Sequence, residues 1–202
     1  MLKIGLTGGI GAGKSVISRI FSILGAPVYN ADAEAKKLMS SDAALLLKLR
    51  EAFGPKAIGE NGPDRKALAR IIFNDPDAMK LVNSLVHPAV ARDFELWLED
   101  HGNAPYVIKE AAIIFETGSQ RHLDMVILIT APEEMRVKRV MKRDGATVSS
   151  VRKRMENQWP DEKKIPLAGL VLNNDSTSPL LPAILELHSA FSKGSLPAGQ
   201  KR

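Results

Sequence analysis

The sequence contains no cysteine, and only 5 % of its 202 residues are aromatic. The lack of cysteine excludes disulfide bonds and thiolate metal sites. No segment reaches the roughly 18 apolar residues that a membrane-spanning helix needs, and the first residues lack the apolar region of a signal peptide. We therefore expect a cytoplasmic protein that does not contact a membrane.

Acidic residues are the minority among the charged ones, with 23 Asp and Glu against 28 Lys and Arg, and the net charge is +5. The excess is concentrated in residues 136–154, which include Arg136, Lys138, Arg139, Lys142, Arg143, Arg152, Lys153 and Arg154. Such a cluster favours an anionic ligand. A solvated helix face would also explain part of it, and helical spacing places Arg136, Arg139 and Arg143 on one face.

Two classes of nucleotide-binding protein are excluded by absent motifs. The D-x-x-G and N-K-x-D motifs of GTPases do not occur, and no glycine triplet satisfies the G-x-G-x-x-G of dinucleotide-binding folds. The segment TGGIGAGKSV at residues 7–16 instead fits G-x-x-x-x-G-K-S, between an apolar run and a helical pattern. The sequence therefore predicts a phosphate-binding loop (P-loop), the loop of a small phosphotransferase.

The chemistry of such a loop assigns a role to each of its residues. Its backbone N–H groups face the phosphate oxygens, and the following helix N-terminus adds positive potential. We expect Lys14 to bridge the β- and γ-phosphates and the Ser15 hydroxyl to bind Mg²⁺. The predicted ATP-binding residues of the loop are Gly9, Gly11, Ala12, Gly13, Lys14, Ser15 and Val16.

The hydrophobic pattern predicts an α/β fold with five short strands, at residues 2–6, 27–29, 106–109, 125–130 and 170–172. Helical patterns follow the first, third and fourth strands, and a last helix is predicted over 180–191. Residues 33–100 show only helical patterns, at 33–39, 43–53, 64–73, 76–86 and 88–100, and form a predicted helical insertion. Two basic helices are predicted at 133–143 and 148–159.

The residue that activates the phosphate acceptor should be a carboxylate near the P-loop. Asp32 follows the second predicted strand, and loops at the carboxyl edge of a parallel sheet converge on one crevice. Asp is also a favoured N-cap, so Asp32 could instead begin the helix that follows, and both roles could coexist.

Seven segments in order resemble the dephospho-CoA kinase family, over nearly the whole chain. They are LTGGIGAGKS, GAPVYNAD, SLVHP, EAAIIFETG, the R-x-x-x-R-D-G at 139–145, RMENQ and LVLNNDS. The resemblance implies transfer of the ATP γ-phosphoryl group to the ribose 3′-hydroxyl of dephospho-CoA, with Mg²⁺, on a three-layer P-loop NTPase fold. A cytoplasmic monomer or weak homo-oligomer that does not bind nucleic acid is expected.

The resemblance also implies boundaries and roles. The core would comprise residues 1–32, 104–142 and 165–192, with a substrate-binding insertion at 33–103, a lid at 143–164 and a mobile tail at 193–202. Asp32 would orient or deprotonate the acceptor, and Arg139 would stabilise the transferring phosphoryl group. Further contacts would be made to ATP by Arg143 and Asn174, and to the substrate by Asp32, His87, Glu110 and Phe115.

Several positions depart from the family pattern or allow two interpretations. Asn30 stands where many relatives have a second Asp, Val16 where they usually have Thr, and the family's D-x-P-L-L-x-E is EAAIIFE here, with Glu110 and Glu116 as its acids. His87 precedes a proline at a predicted helix boundary, where a structural imidazole is the alternative. Phe115 and Trp159 could pack or stack on a base.

Two other functions fit the same loop. A nucleoside or nucleotide kinase would share the P-loop and differ in its acceptor pocket. A nucleotide-dependent binding or regulatory protein would bind without phosphoryl transfer. The candidate base and the arginine cluster favour an enzyme.

Overall fold

The structure is a computed structural model that describes residues 1–60, 62–177 and 179–197, without the side chains of residues 65, 73 and 74. It divides into two compact units, which are described separately. The core unit comprises Met1–Asn30 and His101–Arg202, and the helical unit comprises Ala31–Asp100. Part of the predicted tail, residues 198–202, lies outside the described residues.

The core unit begins with strand β1 (Leu2–Gly8), helix α1 (Lys14–Ile23) and strand β2 (Val28–Asn30). Strand β1 is almost entirely buried beyond Lys3, as expected for a strand with neighbours on both sides. Helix α1 ends where Gly25 takes a positive φ of 94°, and the N–H of Gly25 donates to the carbonyl of Ser22.

The helical unit contains helices α2 (Ala31–Ser41) and α3 (Ala43–Phe53), strands β3 (Ile58–Gly59) and β4 (Gly62–Pro63), and helices α4 (Arg65–Asn74) and α5 (Pro76–Asp100). The side chain of Asp42 caps α3 by accepting from the N–H of Leu45, and Asp64 caps α4 in the same way. The prediction that this region has no strand is wrong. Strands of two residues are too short to produce an alternating pattern.

The predicted break of the fifth helix at Pro88 is also wrong, since α5 continues through it. Proline removes one intrahelical hydrogen bond and clashes with the preceding turn, at a cost of about 3 kcal/mol. The buried face on both sides of Pro88, which includes Val82, Val86, Val90 and Phe94, outweighs that cost. His87 therefore lies in the interior of a helix and not at a helix boundary.

The chain then returns to the core unit with strands β5 (Tyr106–Glu110) and β6 (Met125–Thr130) and helices α6 (Glu133–Asp144), α7 (Val148–Met155) and α8 (Asp161–Lys164). Strand β7 (Leu170–Asn173) and helix α9 (Leu180–Ser192) complete it. The helix predicted directly after β5 is absent from the described residues there. The chain instead makes turns and a 3₁₀ helix, Ser119–His122, which follows Gly118 at a positive φ of 72°.

The central sheet confirms the predicted architecture. Its order is β2-β5-β1-β6-β7, and every pair is parallel. Helices α1 and α9 cover the sheet with a core that includes Phe21 and Phe191, whose rings contact Tyr106. Within the described ranges, no helix combines the length and the apolar composition that crossing a bilayer requires.

Candidate active site

The glycine loop connects the end of β1 to the start of α1, as the motif requires. The N–H of Ala12 donates to the carbonyl of Gly9 at 3.0 Å and closes a turn within the loop. Gly13 precedes α1 with a φ of 104°, and a Cβ there would collide with the carboxamide of Asn174. Glycine is needed at residue 13 for both reasons.

Lys14 and the N-terminus of α1 supply positive charge at this loop. The Lys14 Nζ donates to the carbonyl of Gly8 at 2.7 Å, so its side chain folds back along the loop. The first turn of α1 contains no acidic residue that would oppose the positive end of its dipole. The loop can therefore bind an anion with the groups expected of a P-loop.

Glu110 is the acidic group of the site. Its carboxylate is buried at the end of β5, where Oε1 accepts from Ser15 Oγ at 3.1 Å and Oε2 accepts from Ser18 Oγ at 2.6 Å. Asn30 Nδ2 donates to Oε2 at 3.4 Å. An aspartate at position 30 would put a second carboxylate beside Glu110, whereas asparagine provides a donor.

Residue Ile10 of the loop is bound by two side chains that are distant in sequence. Gln158 Oε1 accepts from the Ile10 N–H at 2.8 Å, and Gln158 Nε2 donates to the carbonyl of Ala112 at 3.1 Å. Arg136 Nε donates to the carbonyl of Ile10 at 3.1 Å, and Arg136 Nη1 pairs with Asp161 Oδ2 at 3.3 Å. Burial raises the pKa of the Asp161 carboxyl despite the nearby Arg136.

Arg139 and Asn174 contact each other beside the loop. Arg139 Nη2 donates to the backbone carbonyl of Asn174 at 3.1 Å, and Asn174 Nδ2 donates to the carbonyl of Ala12 at 2.7 Å. Arg139 Nη1 is buried and has no hydrogen-bond partner within the described part of the chain. Arg139 therefore retains a donor that an anion at the loop could use.

A buried ion pair lies in the segment that follows α7. Lys164, with 0 % of its side chain exposed, pairs with Glu116 Oε1 at 2.8 Å. The same carboxylate oxygen accepts from the N–H of Trp159 at 2.9 Å. Lys163 Nζ lies 3.6 Å from the centre of the Trp159 ring, so one face of that ring is already covered by a cation.

Arg143 differs from the other two arginines of its predicted face. It is 59 % exposed and makes two hydrogen bonds to Asp144, which also accepts from Arg154 at 2.8 Å. These two guanidinium groups hold the pKa of the Asp144 carboxyl well below its usual range. In this structure Arg143 binds a neighbouring carboxylate, and its contact with ATP stays a prediction.

The helical unit holds two further predicted residues. Asp32 is exposed in the first turn of α2, not at its N-cap, so it stabilises the helix dipole and the capping interpretation is wrong. His87 is half-buried within α5, and burial lowers its pKa, which favours the neutral imidazole. Its proposed substrate contact stays a prediction.

The remaining predicted site residues are two apolar side chains of the core unit. Phe115 is buried, with 2 % exposure, which favours packing over a contact with substrate. Val16, two residues after Lys14, is 66 % exposed, and its side chain offers no hydroxyl to a phosphate. If nothing replaces that hydrogen bond, its absence costs about 0.5–1.5 kcal/mol.

Sequence reasoning missed the contacts of Arg136, Gln158, Asp161 and Lys164 with the loop and its surroundings. Two of them had a signal: Gln158 ends the RMENQ segment, and Arg136 belongs to the predicted basic face with Arg139 and Arg143. Neither signal predicted a contact with the loop. In the described ranges, no cluster of three or more His, Asp or Glu side chains could hold a metal ion.

The comparison with protein families decides among the classes that use this loop. A model of the family described as dephospho-CoA kinase matches residues 2–179. The chain belongs to the dephospho-CoA kinase family. A curated dephospho-CoA kinase of Bacteroides fragilis is 35 % identical over 186 residues, which cover 92 % of this chain and 91 % of the relative.

Solved structures agree with the family. The chain superposes on a crystal structure from Thermus thermophilus with a TM-score of 0.77 and 35 % identity, covering 92 % of this chain and 96 % of that one. A dephospho-CoA kinase from Campylobacter jejuni has a TM-score of 0.69 and 28 % identity, with 95 % and 98 % of the two chains covered. The family resemblance inferred from the seven segments is confirmed.

Proposed function

We infer that this protein transfers the γ-phosphoryl group of ATP to the ribose 3′-hydroxyl of dephospho-CoA, which gives coenzyme A and ADP. The observation that carries the proposal is the Ser15–Glu110 contact at the N-terminus of α1, in a chain of the dephospho-CoA kinase family. A hydroxyl and a carboxylate at the end of a P-loop are what metal-assisted phosphoryl transfer needs.

The residues present fit a magnesium ion. Ser15 Oγ and Glu110 Oε1 are oxygen atoms 3.1 Å apart, and Mg²⁺ in nucleotide sites is bound by one or two protein oxygens together with water and phosphate. Ser15 would bind the ion, and Glu110 would orient the Ser15 hydroxyl and the ion's water ligands. When bound, Mg²⁺ would neutralise part of the negative charge on the β- and γ-phosphates.

The chain's own groups would divide the remaining work. The N–H groups of the loop would bind the phosphates, and Lys14 would exchange its bond with the Gly8 carbonyl for phosphate oxygens. Arg139, whose buried Nη1 has no hydrogen-bond partner among the residues that the structure describes, would stabilise charge on the transferring phosphoryl group. Nothing in these steps forms a covalent bond to the protein.

Asp32 is proposed as the group that orients or deprotonates the acceptor hydroxyl. Only Ala31 separates it from Asn30, the last residue of β2, which is paired with Glu110 in the sheet. Its carboxylate is exposed, as a residue that must meet a substrate requires. His87 and Phe115 remain proposed substrate contacts. For Phe115, the buried ring argues against this contact.

Further properties are proposed on the same basis. ATP would be the donor, and Arg143 and Asn174 would contact it in addition to the loop. We propose a cytoplasmic monomer or weak homo-oligomer that binds neither nucleic acid nor a membrane. The helical unit would bind the substrate, and residues 143–164 would act as a lid.

A substrate comparison tests the proposal. Purified protein with ATP and Mg²⁺ is given dephospho-CoA and, in parallel, a panel of nucleosides and nucleoside monophosphates. We expect phosphorylation of dephospho-CoA with a kcat/KM far above that of every panel member. Phosphorylation of a panel member but not of dephospho-CoA would assign the protein to nucleoside or nucleotide kinases, and ATP binding without any transfer would indicate a regulatory protein.

A further inference from the structure

Backbone carbonyls of the glycine loop are bound from outside by side chains from the C-terminal half of the chain. Arg136 Nε donates to the carbonyl of Ile10 at 3.1 Å, and Asn174 Nδ2 donates to the carbonyl of Ala12 at 2.7 Å. These two carbonyls alternate with the N–H groups on which phosphate binding depends. The contacts therefore bear on how the loop presents its N–H groups.

The geometry of the peptide bond links the two sets of groups. In a trans peptide the carbonyl and the following N–H point in opposite directions. Because Arg136 binds the carbonyl of Ile10, the N–H of Gly11 in the same peptide unit faces away from Arg136. Successive N–H groups that face one side form the concave site in which a P-loop holds phosphate oxygens.

The peptide between Ile10 and Gly11 is the one in the loop whose orientation most needs to be fixed by a hydrogen bond from outside the loop. It is the central peptide of the turn that the Ala12 N–H closes onto the Gly9 carbonyl. Gly11 has a φ of 80°, the value of a type II turn, and type I and type II turns differ by the orientation of this central peptide. Glycine tolerates both conformations, so the loop's own residues select neither strongly.

Arg136 is itself fixed in place. Its side chain is 13 % exposed, and its Nη1 lies 3.3 Å from the Asp161 carboxylate, which is 15 % exposed. The guanidinium packs against the Cα of Gly9, where a Cβ would collide with it. A planar group with donors in fixed directions can serve the Ile10 carbonyl and Asp161 at once, which an ammonium group on a flexible stem does less well.

We propose that Arg136 is a positioning residue for triphosphate binding: by holding the Ile10 carbonyl, it keeps the Gly11 N–H directed to the phosphate side of the loop. Asp161 holds the guanidinium in the required orientation. The inference rests on the proposed function, because it takes the anion at the loop to be the triphosphate of ATP. Arg136 acts through the loop and needs no contact with substrate.

The test compares Arg136→Met with Lys138→Met. Lys138 is exposed on the same helix, so its replacement removes the same charge without touching the loop. Calorimetry measures the Kd of ATP and of inorganic triphosphate, and steady-state kinetics measures both KM values. We expect Arg136→Met to weaken both ligands about tenfold and to raise the KM for ATP equally. The KM for dephospho-CoA should stay within about twofold, as should all values for Lys138→Met.

Two more variants separate positioning from stability. Arg136→Met leaves the Asp161 carboxylate buried without its partner, which can unfold the protein. The double variant Arg136→Met with Asp161→Leu leaves no unpaired carboxylate, and we expect it to fold and to show the same tenfold loss. Arg136→Lys should recover part of the affinity, since it keeps a donor near the Ile10 carbonyl.

The inference is overturned if the double variant binds inorganic triphosphate as tightly as the wild type, or if Lys138→Met loses as much affinity as Arg136→Met. Failure of the proposed function is seen separately. A wild-type protein that binds ATP but does not phosphorylate dephospho-CoA would refute the activity, and the binding comparison would still decide the role of Arg136. A wild-type protein that binds no triphosphate would refute both.

Discussion

Replacing Glu110 by glutamine separates the structural and the functional role of this buried carboxylate. Glutamine has the same shape, and the hydroxyls of Ser15 and Ser18 can rotate to donate to its oxygen or accept from its NH₂ group. With its oxygen in the place of Oε2, the amide still accepts from Ser18 and Asn30, and its NH₂ group donates to Ser15 Oγ. A neutral oxygen is a weaker acceptor than the carboxylate, so we expect a loss of about 1 kcal/mol in the free energy of unfolding.

Glu110→Ala removes the acceptors altogether. Ser18 is buried, and its hydroxyl loses a 2.6 Å bond to a charged acceptor, while the missing side chain leaves a cavity. The Ser18 hydroxyl then donates to the carbonyl of Ser15 at 3.3 Å instead, and this weaker hydrogen bond and the cavity together predict a loss of about 3 kcal/mol. Unlike stability, activity should fall to a similar extent in both variants, because both lack the carboxylate that orients the proposed Mg²⁺ ligand. We expect kcat to fall about 10- to 100-fold in each.

Urea unfolding at 25 °C and steady-state kinetics measure the two quantities on the same preparations. Glu186→Gln, an exposed acid-to-amide change on α9, is the control and should change neither. Full activity in a stably folded Glu110→Gln would remove Glu110 from the mechanism. A Glu110→Gln variant as unstable as Glu110→Ala would show that the charge, and not the shape and hydrogen bonding, supports the fold.

Four further variants test other parts of the account. Asp32→Asn should lower kcat about 100-fold or more while the Kd for ATP stays within about twofold, and unchanged turnover would exclude Asp32 as the acceptor-activating group. Lys14→Ala should lower kcat at least about 100-fold, and wild-type turnover would contradict the assigned role of the loop lysine. Lys164→Met should lose about 3–5 kcal/mol of unfolding free energy, because Glu116 keeps its buried charge with the Trp159 N–H as its remaining partner among the described residues; a urea midpoint equal to that of the wild type would refute this. The raised pKa of Asp161 means that its ionised form is disfavoured in the folded state, so the wild type loses stability as pH rises above the ordinary value of 3.8. Asp161→Asn cannot ionise, and its free energy of unfolding should exceed that of the wild type at pH 7 but not at about pH 3.

The sheet was predictable because its strands are short apolar runs whose ends carry the motif residues. The run at 125–130 became β6 with the same bounds, and the loop sequence itself defined the junction of β1 and α1. The proline rule failed at Pro88 because local propensity is a weak term beside the buried face of α5. Strands β3 and β4 were not predicted because two residues are too few to form an alternating pattern.

The candidate site was predictable to the extent that its residues are close in sequence or belong to a known segment. Lys14 and Ser15 followed from the loop motif, and Glu110 followed from the family resemblance. The bonds from Arg136, Gln158 and Asn174 to the loop join residues 126–162 positions apart. Such contacts depend on where each parallel strand ends and directs the segment that follows it. A single sequence does not specify this position for each residue.

The most direct test of the central claim is identification of the product formed from dephospho-CoA, ATP and Mg²⁺. Phosphorus NMR and mass spectrometry of the purified product locate the added phosphate on the ribose. We expect one new phosphate, on the 3′-hydroxyl, with one ADP formed for each coenzyme A. An unchanged dephospho-CoA, or a phosphate at any other hydroxyl, would refute the proposed activity.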